Sequence, residues 1–298
     1  MYTQFFGNYL LNNNYVTAGQ LAQALEEKSQ TRMKLGLLAI NAGYMNATQV
    51  EKVHKSQATQ DKRFGDIAIE MGFMTSEQVN ELLSSQKTGY LLIGQALVDK
   101  NFMTNEEFEQ ALKEYKTAFG FTDSDAYNEK TESIEEIISE FYHFGSQANA
   151  KLLTDYVCLL FKNIIRFIGD DFTPFDSTVI SNFKCRAISS QVIVGTDFKA
   201  FTAIEASETT YAQFASRFAQ EEISEVNEYA VACVGEFLNL HNGLFTVNMS
   251  NENNIELQLD PQIAEQNITL PLRFNAFCIP LVFPFGTVNI IISDSESQ

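Results

Sequence analysis

Hydrophobic and polar positions follow helical spacing through the first third of the chain, in a pattern that repeats every 29 residues. Each repeat has a glycine directly after an apolar residue, and these glycines are Gly7, Gly36, Gly65 and Gly94. Seven residues beyond each glycine lies Asn14, Gly43, Gly72 or Asn101. Glycine and asparagine tolerate the left-handed backbone that ends many helices. The pattern predicts a short helix, a turn and a second helix in every repeat.

The second helix of each repeat begins at a residue that can cap it. The predicted caps and their partners three residues later are Thr17/Gln20, Asn46/Gln49, Thr75/Gln78 and Thr104/Glu107. Each cap lies between two apolar residues that can pack as a staple, namely Val16/Leu21, Met45/Val50, Met74/Val79 and Met103/Phe108. We therefore expect residues 1–116 to form an all-helical domain of four 29-residue helix-turn-helix repeats.

The rest of the chain has a different pattern. Residues 117–136 are polar and acidic, and this composition predicts a linker. Beyond it the predicted helices are 137–144, 149–168, 208–219 after Ser207 and 225–240 after Ser224. The predicted strands are 185–194, 198–206, 254–259, 268–272, 277–283 and 287–293. Because these elements come in groups and not in βαβ alternation, residues 137–298 are predicted to be an α+β domain with an antiparallel or mixed sheet and long helices.

The charge distribution restricts the class of partner. The 298 residues include 20 basic and 38 acidic ones, for a net charge of −18. Before residue 120 there are 11 basic and 13 acidic residues, and after it there are 9 and 25. An acidic half of this kind repels a phosphate backbone, so we expect no binding to nucleic-acid polymers.

The cysteines and the apolar segments predict a cytoplasmic protein. The four cysteines, Cys158, Cys185, Cys233 and Cys278, form no Cys-x-x-Cys pair, and three of them lie in apolar runs. Free buried thiols fit a reducing compartment. The first 15 residues lack the features of a signal peptide, and the run 277–285 is too short to cross a bilayer, so no membrane insertion is expected.

The second and third repeats differ from the outer two. Residues 28–63 hold seven of the first half's eleven basic residues. In these repeats a cation, Lys34 or Arg63, precedes the apolar-glycine pair, and a glutamine, Gln57 or Gln86, ends the second helix. The repeats could be a scaffold only, but this distribution favours a ligand.

Segments 34–57 and 63–86 resemble the tandem motif Arg-Leu-Gly-x-x-Leu-x-x-x-Gly-x-x-x-x-x-x-Leu-x-x-x-Leu-x-x-Gln, with a matching five-residue spacer. This motif defines the N-terminal domain of type II secretion and pilus ATPases such as MshE, where the pair binds cyclic di-GMP. Lys34 departs from the motif, since lysine lacks the bidentate fork of arginine. The resemblance implies cyclic di-GMP as a ligand, with the contacting residues Lys34, Gly36, Gly43, Gln57, Arg63, Gly65, Gly72 and Gln86.

A helix in the acidic half carries the second candidate site. Glu236 and Asn239 are three residues apart, so a helix places them on one face. Gly235 precedes the pair and Gly243 is expected to end the helix. We expect the pair to be exposed, while the neighbouring residues Tyr229, Val231 and Val234 turn inward.

Residues 146–295 resemble the CheX/CheC/FliY family of chemotaxis phosphatases. The family signature Gly-Glu-Ile-x-Asn followed by Gly is matched at residues 235–239 and at Gly243, although Ala232 stands where the family often has Asp or Ser. The helix 149–168 has no second Glu-x-x-Asn, which implies a single site of the CheX type.

The resemblance implies a mechanism and a partner. Glu236 and Asn239 are the implied catalytic residues, acting on a phosphorylated CheY-like receiver. The Asn239 amide would orient water in line with the aspartyl phosphate, and Glu236 would pair with the receiver's lysine. Mg²⁺ would belong to the receiver, so no intrinsic cofactor is expected, and a homodimer is left open.

The sequence predicts no metal site and leaves more than one function open. The three histidines, His54, His143 and His241, lack metal-ligand spacing, so no metal site is predicted. Three functions stay open: a response-regulator phosphatase regulated by cyclic di-GMP, a non-catalytic adaptor that binds receivers or cyclic di-GMP, and a nucleotide-sensing scaffold whose C-terminal half only dimerises.

Overall fold

The computed structural model describes residues 2–27, 31–84, 89–118, 138–139, 141–142, 144, 150–196 and 198–294. The chain divides into two compact units, Tyr2–Lys130 and Thr131–Gln298. Most of the predicted linker lies outside the described residues, as do residues 137, 140 and 143 of the predicted helix 137–144. The domain bounds 1–116, 117–136 and 137–298 stay predictions.

The described part of the N-terminal unit is helical. Its helices are α1 (Tyr2–Asn12), α2 (Ala18–Glu27), α3 (Leu35–Asn41), α4 (Ala47–Gln57), α5 (Phe64–Glu70), α6 (Ser76–Ser84), α7 (Gly89–Asp99) and α8 (Asn105–Ala118). Their order is the predicted alternation of a first and a second helix. The 29-residue repeat as a structural unit stays a prediction.

The predicted capping boxes are confirmed. The caps Thr17, Asn46, Thr75 and Thr104 all exchange hydrogen bonds with the residue three positions later. The two Asn46–Gln49 bonds are both 2.9 Å long. The residues predicted to be left-handed have positive φ: 60° at Asn14, 69° at Gly43, 71° at Gly72 and 56° at Asn101. All eight staple residues are buried.

The helix pairs of this unit do not stack one after another in the order of the sequence. Helix α1 packs chiefly on α2, α7 and α8, and α2 packs on α7. Helix α3 contacts α4 to α8, and α4 contacts α5 and α8. The last helix pair therefore covers both the first and the second pair, as in a closed bundle and unlike a linear solenoid.

The C-terminal unit combines three long helices with a sheet. The helices are α9 (Ala150–Phe167), α10 (Glu208–Ala219) and α11 (Glu228–Asn253). The strands are β1 (Thr173–Pro174), β2 (Thr178–Gly195), β3 (Lys199–Ala206), β4 (Leu257–Leu259), β5 (Ile263–Phe283) and β6 (Gly286–Asp294). The unit is α+β, as predicted.

The sheet has the order β1-β5-β6-β3-β2-β4, and its pairings are antiparallel. The long strands β2 and β5 also pair with each other, so the sheet curls back on itself. Helices α10 and α11 pack on the sheet, and α9 packs on α11. A buried apolar cluster within the sheet is made of Cys185, Ile188, Ala203, Ala276, Cys278 and Ile291. All four cysteines of the chain are buried as free thiols.

Several predicted elements of this unit were wrong in their bounds. The helix predicted to be capped by Ser224 and to end at Gly243 is α11, which is capped by Asn227 and continues to Asn253. Glycine costs a helix about 1 kcal/mol relative to alanine, but Phe245 and Met249 are buried beyond it. The burial of these side chains stabilises the additional turns.

The strands predicted at 268–272 and 277–283 are parts of the single strand β5, and the strand predicted at 254–259 is shortened to β4. Pro271 in β5 has no N–H to donate. It lies opposite Asn182, where the register of β2 shifts after Ile180, and such an irregularity accommodates a proline within a sheet.

Candidate functional site

The N-terminal candidate residues lie at the ends of short helices. Lys34 and Arg63 are the N-cap residues of α3 and α5, and Gln57 is the last residue of α4. The Gln57 amide donates to the carbonyl of Lys62 over 3.2 Å. Gln86 lies outside the described residues.

Gly36 and Gly65 are buried where α3 and α5 cross. A Cβ added at Gly36 would lie 2.8 Å from Val50 Cγ1 and 3.3 Å from the Phe64 ring. A Cβ added at Gly65 would lie 3.3 Å from a methyl group of Leu35. Helix packing is therefore a sufficient reason for both glycines. The reciprocal contacts also bring the starts of α3 and α5 together.

The two predicted cations have different surroundings. Lys34 Nζ lies 2.6 Å from Asp99 Oδ1, and the Lys34 backbone N–H donates to Gln95 Oε1 over 3.1 Å. The Gln95 amide donates to the same Asp99 oxygen over 2.8 Å. Arg63 is exposed and forms no ion pair with a residue that the structure describes. A carboxylate of α7 thus already partners one of the two cations.

Glu236 and Asn239 lie on the outward face of α11. Glu236 is exposed, and its carboxylate has no partner among the described residues. Asn239 is half-buried, and its side-chain oxygen accepts a hydrogen bond of 3.0 Å from Gln191 Nε2. The predicted exposure of Glu236 is confirmed, but the amide of Asn239 is attached to the strand β2 beneath it.

The direction of the Asn239 amide follows from its neighbours. Gln191 Nε2 also donates to the backbone carbonyl of Asp260 over 3.0 Å, and a carbonyl can only accept. The Gln191 nitrogen must therefore face Asn239, and Asn239 must face it with oxygen. The Asn239 Nδ2 group points away from Gln191 and bonds no described residue.

A buried network holds Gln191 in turn. Asn242 Nδ2 donates to Gln191 Oε1 over 2.9 Å and to Thr202 Oγ1 over 3.0 Å. The Tyr156 hydroxyl of α9 donates to Asn242 Oδ1 over 2.9 Å. Burial raises the pKa of the Tyr156 hydroxyl, so this group stays protonated and can donate. The network joins α9, α11, β2 and β3 beneath Asn239.

Sequence reasoning missed these supporting residues. Gln191 lies in the mostly buried stretch 187–193 of β2, Thr202 lies in the largely buried strand β3, and Asn242 lies in a mostly apolar helix. Buried polar side chains almost always have partners. Polar residues within apolar runs were therefore the available signal, but sequence alone could not pair residues that are 51 positions apart.

His241 directly precedes Asn242 on α11, and it points into the core. It is 0% exposed, its ring lies edge-on to Tyr156 at 4.4 Å, and its Nδ1 lies 3.0 Å from Asn163 Nδ2. Burial lowers the pKa of His241 to about 3, so the ring is neutral. His241 does not lie at the helix end, because α11 continues for three turns beyond it.

Apolar and small residues surround the pair on the helix surface. Tyr229, predicted to turn inward, is 49% exposed, and its hydroxyl donates to Glu221 over 3.2 Å. Val247 is 54% exposed and Ala232 is exposed. Together with Glu236 and Asn239, these positions form one stripe along α11 with the spacing of helical turns.

The described residues contain no group of three or more His, Cys, Asp or Glu side chains that could hold a metal ion. No helix in the described part of the chain is long and apolar enough to cross a membrane.

No protein-family model and no curated protein matches the chain. Among solved structures, it is similar to a CheC-like superfamily protein from Shewanella sp. PV-4, with 18% identity, a TM-score of 0.44 and coverage of 49% of this chain and 99% of that one. It is also similar to CheX from Vibrio vulnificus, with 14% identity, a TM-score of 0.43 and coverage of 49% and 100%. A third similar structure is the CheX–CheY–BeF3–Mg²⁺ complex from Borrelia burgdorferi, with 13% identity, a TM-score of 0.43 and coverage of 49% and 98%. About half of this chain is thus similar to CheX and CheC-like chemotaxis proteins.

Proposed function

We propose that the C-terminal unit is a CheX-like phosphatase that removes phosphate from the aspartate of a CheY-type receiver. Asn239 is the residue that positions the attacking water, and Glu236 is the residue that meets the receiver. The observation that carries the proposal is the Asn239 amide, which is held through its oxygen and presents its N–H groups outward. Beside it lies the Glu236 carboxylate, which pairs with no residue that the structure describes.

The proposed reaction is hydrolysis of the aspartyl phosphate. The water oxygen forms a bond to phosphorus while the bond between phosphorus and the aspartate oxygen breaks. The aspartate leaves as a carboxylate, the attacking oxygen keeps one proton, and the second proton ends on a phosphate oxygen. Mg²⁺ bound by the receiver neutralises charge on the phosphoryl oxygens.

The Asn239 amide suits this reaction because phosphoryl transfer depends mainly on positioning and charge neutralisation. An Nδ2–H group donates to one lone pair of the water and leaves the other free to attack phosphorus. A neutral amide does this without repelling the phosphoryl oxygens, as a carboxylate at the same place would.

Glu236 and the apolar positions around it suit docking. An exposed carboxylate attracts a cationic side chain of the partner, and such pairs contribute mainly to association rate and orientation. Tyr229 and Val247 offer exposed apolar area on either side, and Ala232 lets a partner backbone approach the helix. The stripe on α11 therefore combines an anchor surface with a polar centre.

The test is the lifetime of a CheY-type receiver that has been phosphorylated with a small-molecule phosphodonor. We expect the full chain to accelerate phosphate loss. Asn239→Ala should reduce this acceleration on the order of 10²-fold. Glu236→Ala should weaken docking as well. The matched control is Asn248→Ala, a half-buried asparagine on the opposite side of α11, which should retain activity.

Two results would contradict the phosphatase. One is equal activity of Asn239→Ala and the wild type. The other is a wild type that accelerates no receiver but still binds a receiver loaded with BeF3 and Mg²⁺, which would establish the non-catalytic adaptor instead.

For the N-terminal unit we propose cyclic di-GMP binding at the second and third repeats. The observation in its favour is the crossing of α3 and α5, which brings together the helix starts that Lys34 and Arg63 cap. Asp99 competes with an anionic ligand for Lys34. In calorimetric titrations of the full chain, Arg63→Ala should weaken binding and Asp99→Asn should strengthen it.

The control for that titration is Lys113→Ala, an exposed lysine of α8 outside the basic segment, which should bind as the wild type does. Absence of binding at high micromolar cyclic di-GMP would leave the repeats as a scaffold.

A further inference from the structure

We infer that Gln191 is a positioning residue for Asn239, one that sets which end of the Asn239 amide faces the reacting water. This inference rests on the proposed phosphatase function and adds a residue outside the Glu-x-x-Asn motif. Gln191 lies on β2, 48 positions before Asn239, and is only 4% exposed.

The Gln191 side chain has no freedom to turn over. Its Nε2 group donates to Asn239 Oδ1 and to the Asp260 carbonyl, each over 3.0 Å, and its Oε1 accepts from Asn242. An exchange of the oxygen and nitrogen positions would place Gln191 oxygen against the Asp260 carbonyl and Gln191 nitrogen against the Asn242 nitrogen. Two hydrogen bonds would then be replaced by repulsive contacts in a buried site.

This rigidity passes to Asn239. A free asparagine amide on a helix surface can turn over, since its oxygen and nitrogen ends are similar in size and both bond water. Here only the oxygen end fits the Gln191 N–H, so the nitrogen end faces outward. A water can therefore meet a donor of fixed direction, which is the preorganisation that lowers the barrier of a positioned attack.

The backbone around Gln191 supports the same geometry. The carbonyl of Gln191 accepts from the Thr202 hydroxyl over 2.8 Å, and the Asp260 N–H donates to the Val192 carbonyl over 2.9 Å. Asp260 is thereby fixed to β2 next to Gln191. The carbonyl that determines the Gln191 orientation is itself held in place.

The experiment measures phosphate loss from a phosphorylated CheY-type receiver with Gln191→Glu and Gln191→Met. Gln191→Glu keeps the shape but loses the donor, and Gln191→Met keeps the approximate length without either polar atom. We expect kcat to fall on the order of 10-fold to 10²-fold, with KM changed less than about twofold. The control is Ser189→Ala, which removes a buried hydrogen bond from β2 to Tyr211 and should leave kcat unchanged.

A double variant separates positioning from general support of the fold. In the Asn239→Ala background, Gln191→Met should cause no further loss of kcat, because the group that it positions is already absent. A merely structural role would lower activity in both backgrounds alike. Additive losses, or unchanged kcat in a folded Gln191→Met variant, would overturn the inference. Circular dichroism identifies any variant that fails to fold. If the buried charge unfolds Gln191→Glu, Gln191→Met alone provides the test.

A second measurement keeps this inference distinct from the phosphatase proposal. If the wild type accelerates no receiver, the phosphatase is wrong, and the Asn239 side-chain amide is then followed by NMR, assigned by its loss in Asn239→Ala. An amide that is rigid in the wild type and mobile in Gln191→Met supports the positioning role. Equal mobility in both proteins overturns it.

Discussion

In the N-terminal unit, polar side chains at helix starts bond backbone groups three residues away. In the C-terminal unit, polar side chains bond each other across 40 to 86 residues of sequence and are buried beneath α11. The first kind of bond shapes one helix, whereas the second ties two helices to two strands. Local polar contacts define elements, and distant ones define the direction of a functional group.

The candidate sites differ in the same way. At the N-terminal site, neighbouring side chains occupy the space around Gly36 and Gly65, and Lys34 is already paired with Asp99. At the C-terminal site, packing does not account for the outward Nδ2 of Asn239 or for the exposed carboxylate of Glu236. A polar group that the fold holds in a fixed direction, but that packing does not require, indicates function more strongly than a residue that packing already explains.

The largest expected effect is a difference in stability between variants of Asn242 and of Asn239. Asn242→Ala leaves Tyr156, Gln191 and Thr202 without their partner, and each buried group left unpaired costs about 1–3 kcal/mol. Asn239→Ala should change the free energy of unfolding by less than about 1 kcal/mol, because the side chain is half-buried and has one such bond. Urea unfolding of the full chain measures both, and equal destabilisation would show that Asn239 is part of the core.

The N-terminal unit should respond to added volume. Gly36→Ala places a methyl group against Val50 and Phe64, and overpacking of this kind costs about 1–3 kcal/mol. Gly19→Ala is the matched control, because nothing lies within 4 Å of an added Cβ there. Hydrogen exchange of the α3 and α4 amides should accelerate in Gly36→Ala only. Unchanged exchange would mean that the glycine is not required by packing.

The histidines of the two units should differ in pH dependence. The pKa of His241 is lowered to about 3 in the folded chain, so only the unfolded chain binds the proton between pH 6.5 and that value. Stability of the C-terminal unit should thus fall by about 1.4 kcal/mol for each pH unit below 6.5, and His241→Gln should remove this loss.

The window from pH 6.5 to about 5 avoids the ordinary range of carboxyl groups. His54 is the comparison, because partial burial also lowers its pKa while Glu51 opposes that shift. His54→Gln should change the pH dependence of stability less than His241→Gln does. A larger effect at His54 than at His241 would contradict the assignment of a neutral, buried His241.

The smallest expected effect concerns the helix caps. Thr104→Ala removes an acceptor for the Glu107 N–H and should cost about 1 kcal/mol. Thr117→Ala also loses a side-chain bond to the backbone, but at the exposed end of α8, and should stay within about 0.5 kcal/mol. Thermal unfolding of the two variants compares them directly. Equal melting temperatures would show that capping boxes add little to this unit.

Prediction from sequence was most accurate where the determining contacts are local. The caps at Thr17, Asn46, Thr75, Thr104 and Ser207 were all assigned correctly, because each depends on residues within three positions. The helix end at Gly243 was wrong, since the local signal of a glycine was outweighed by burial of Phe245 and Met249 against the rest of the unit. The division of β5 into two strands failed for the same reason, because β2 pairs with both parts of β5, at residues 263–271 and 276–278.

The sequence by itself determined the two-part character of the chain, the helix starts of its first part and the place of Glu236 and Asn239 on one helix face. These follow from spacing and from backbone preferences, which act over a few residues. Only the tertiary structure decided which end of the Asn239 amide faces outward, that Gln191 and Asn242 stand behind it, and that Lys34 is paired with Asp99. Those outcomes depend on hydrogen bonds between residues that are far apart in the chain, and a bond of that kind is defined only when the fold has brought its donor and acceptor together.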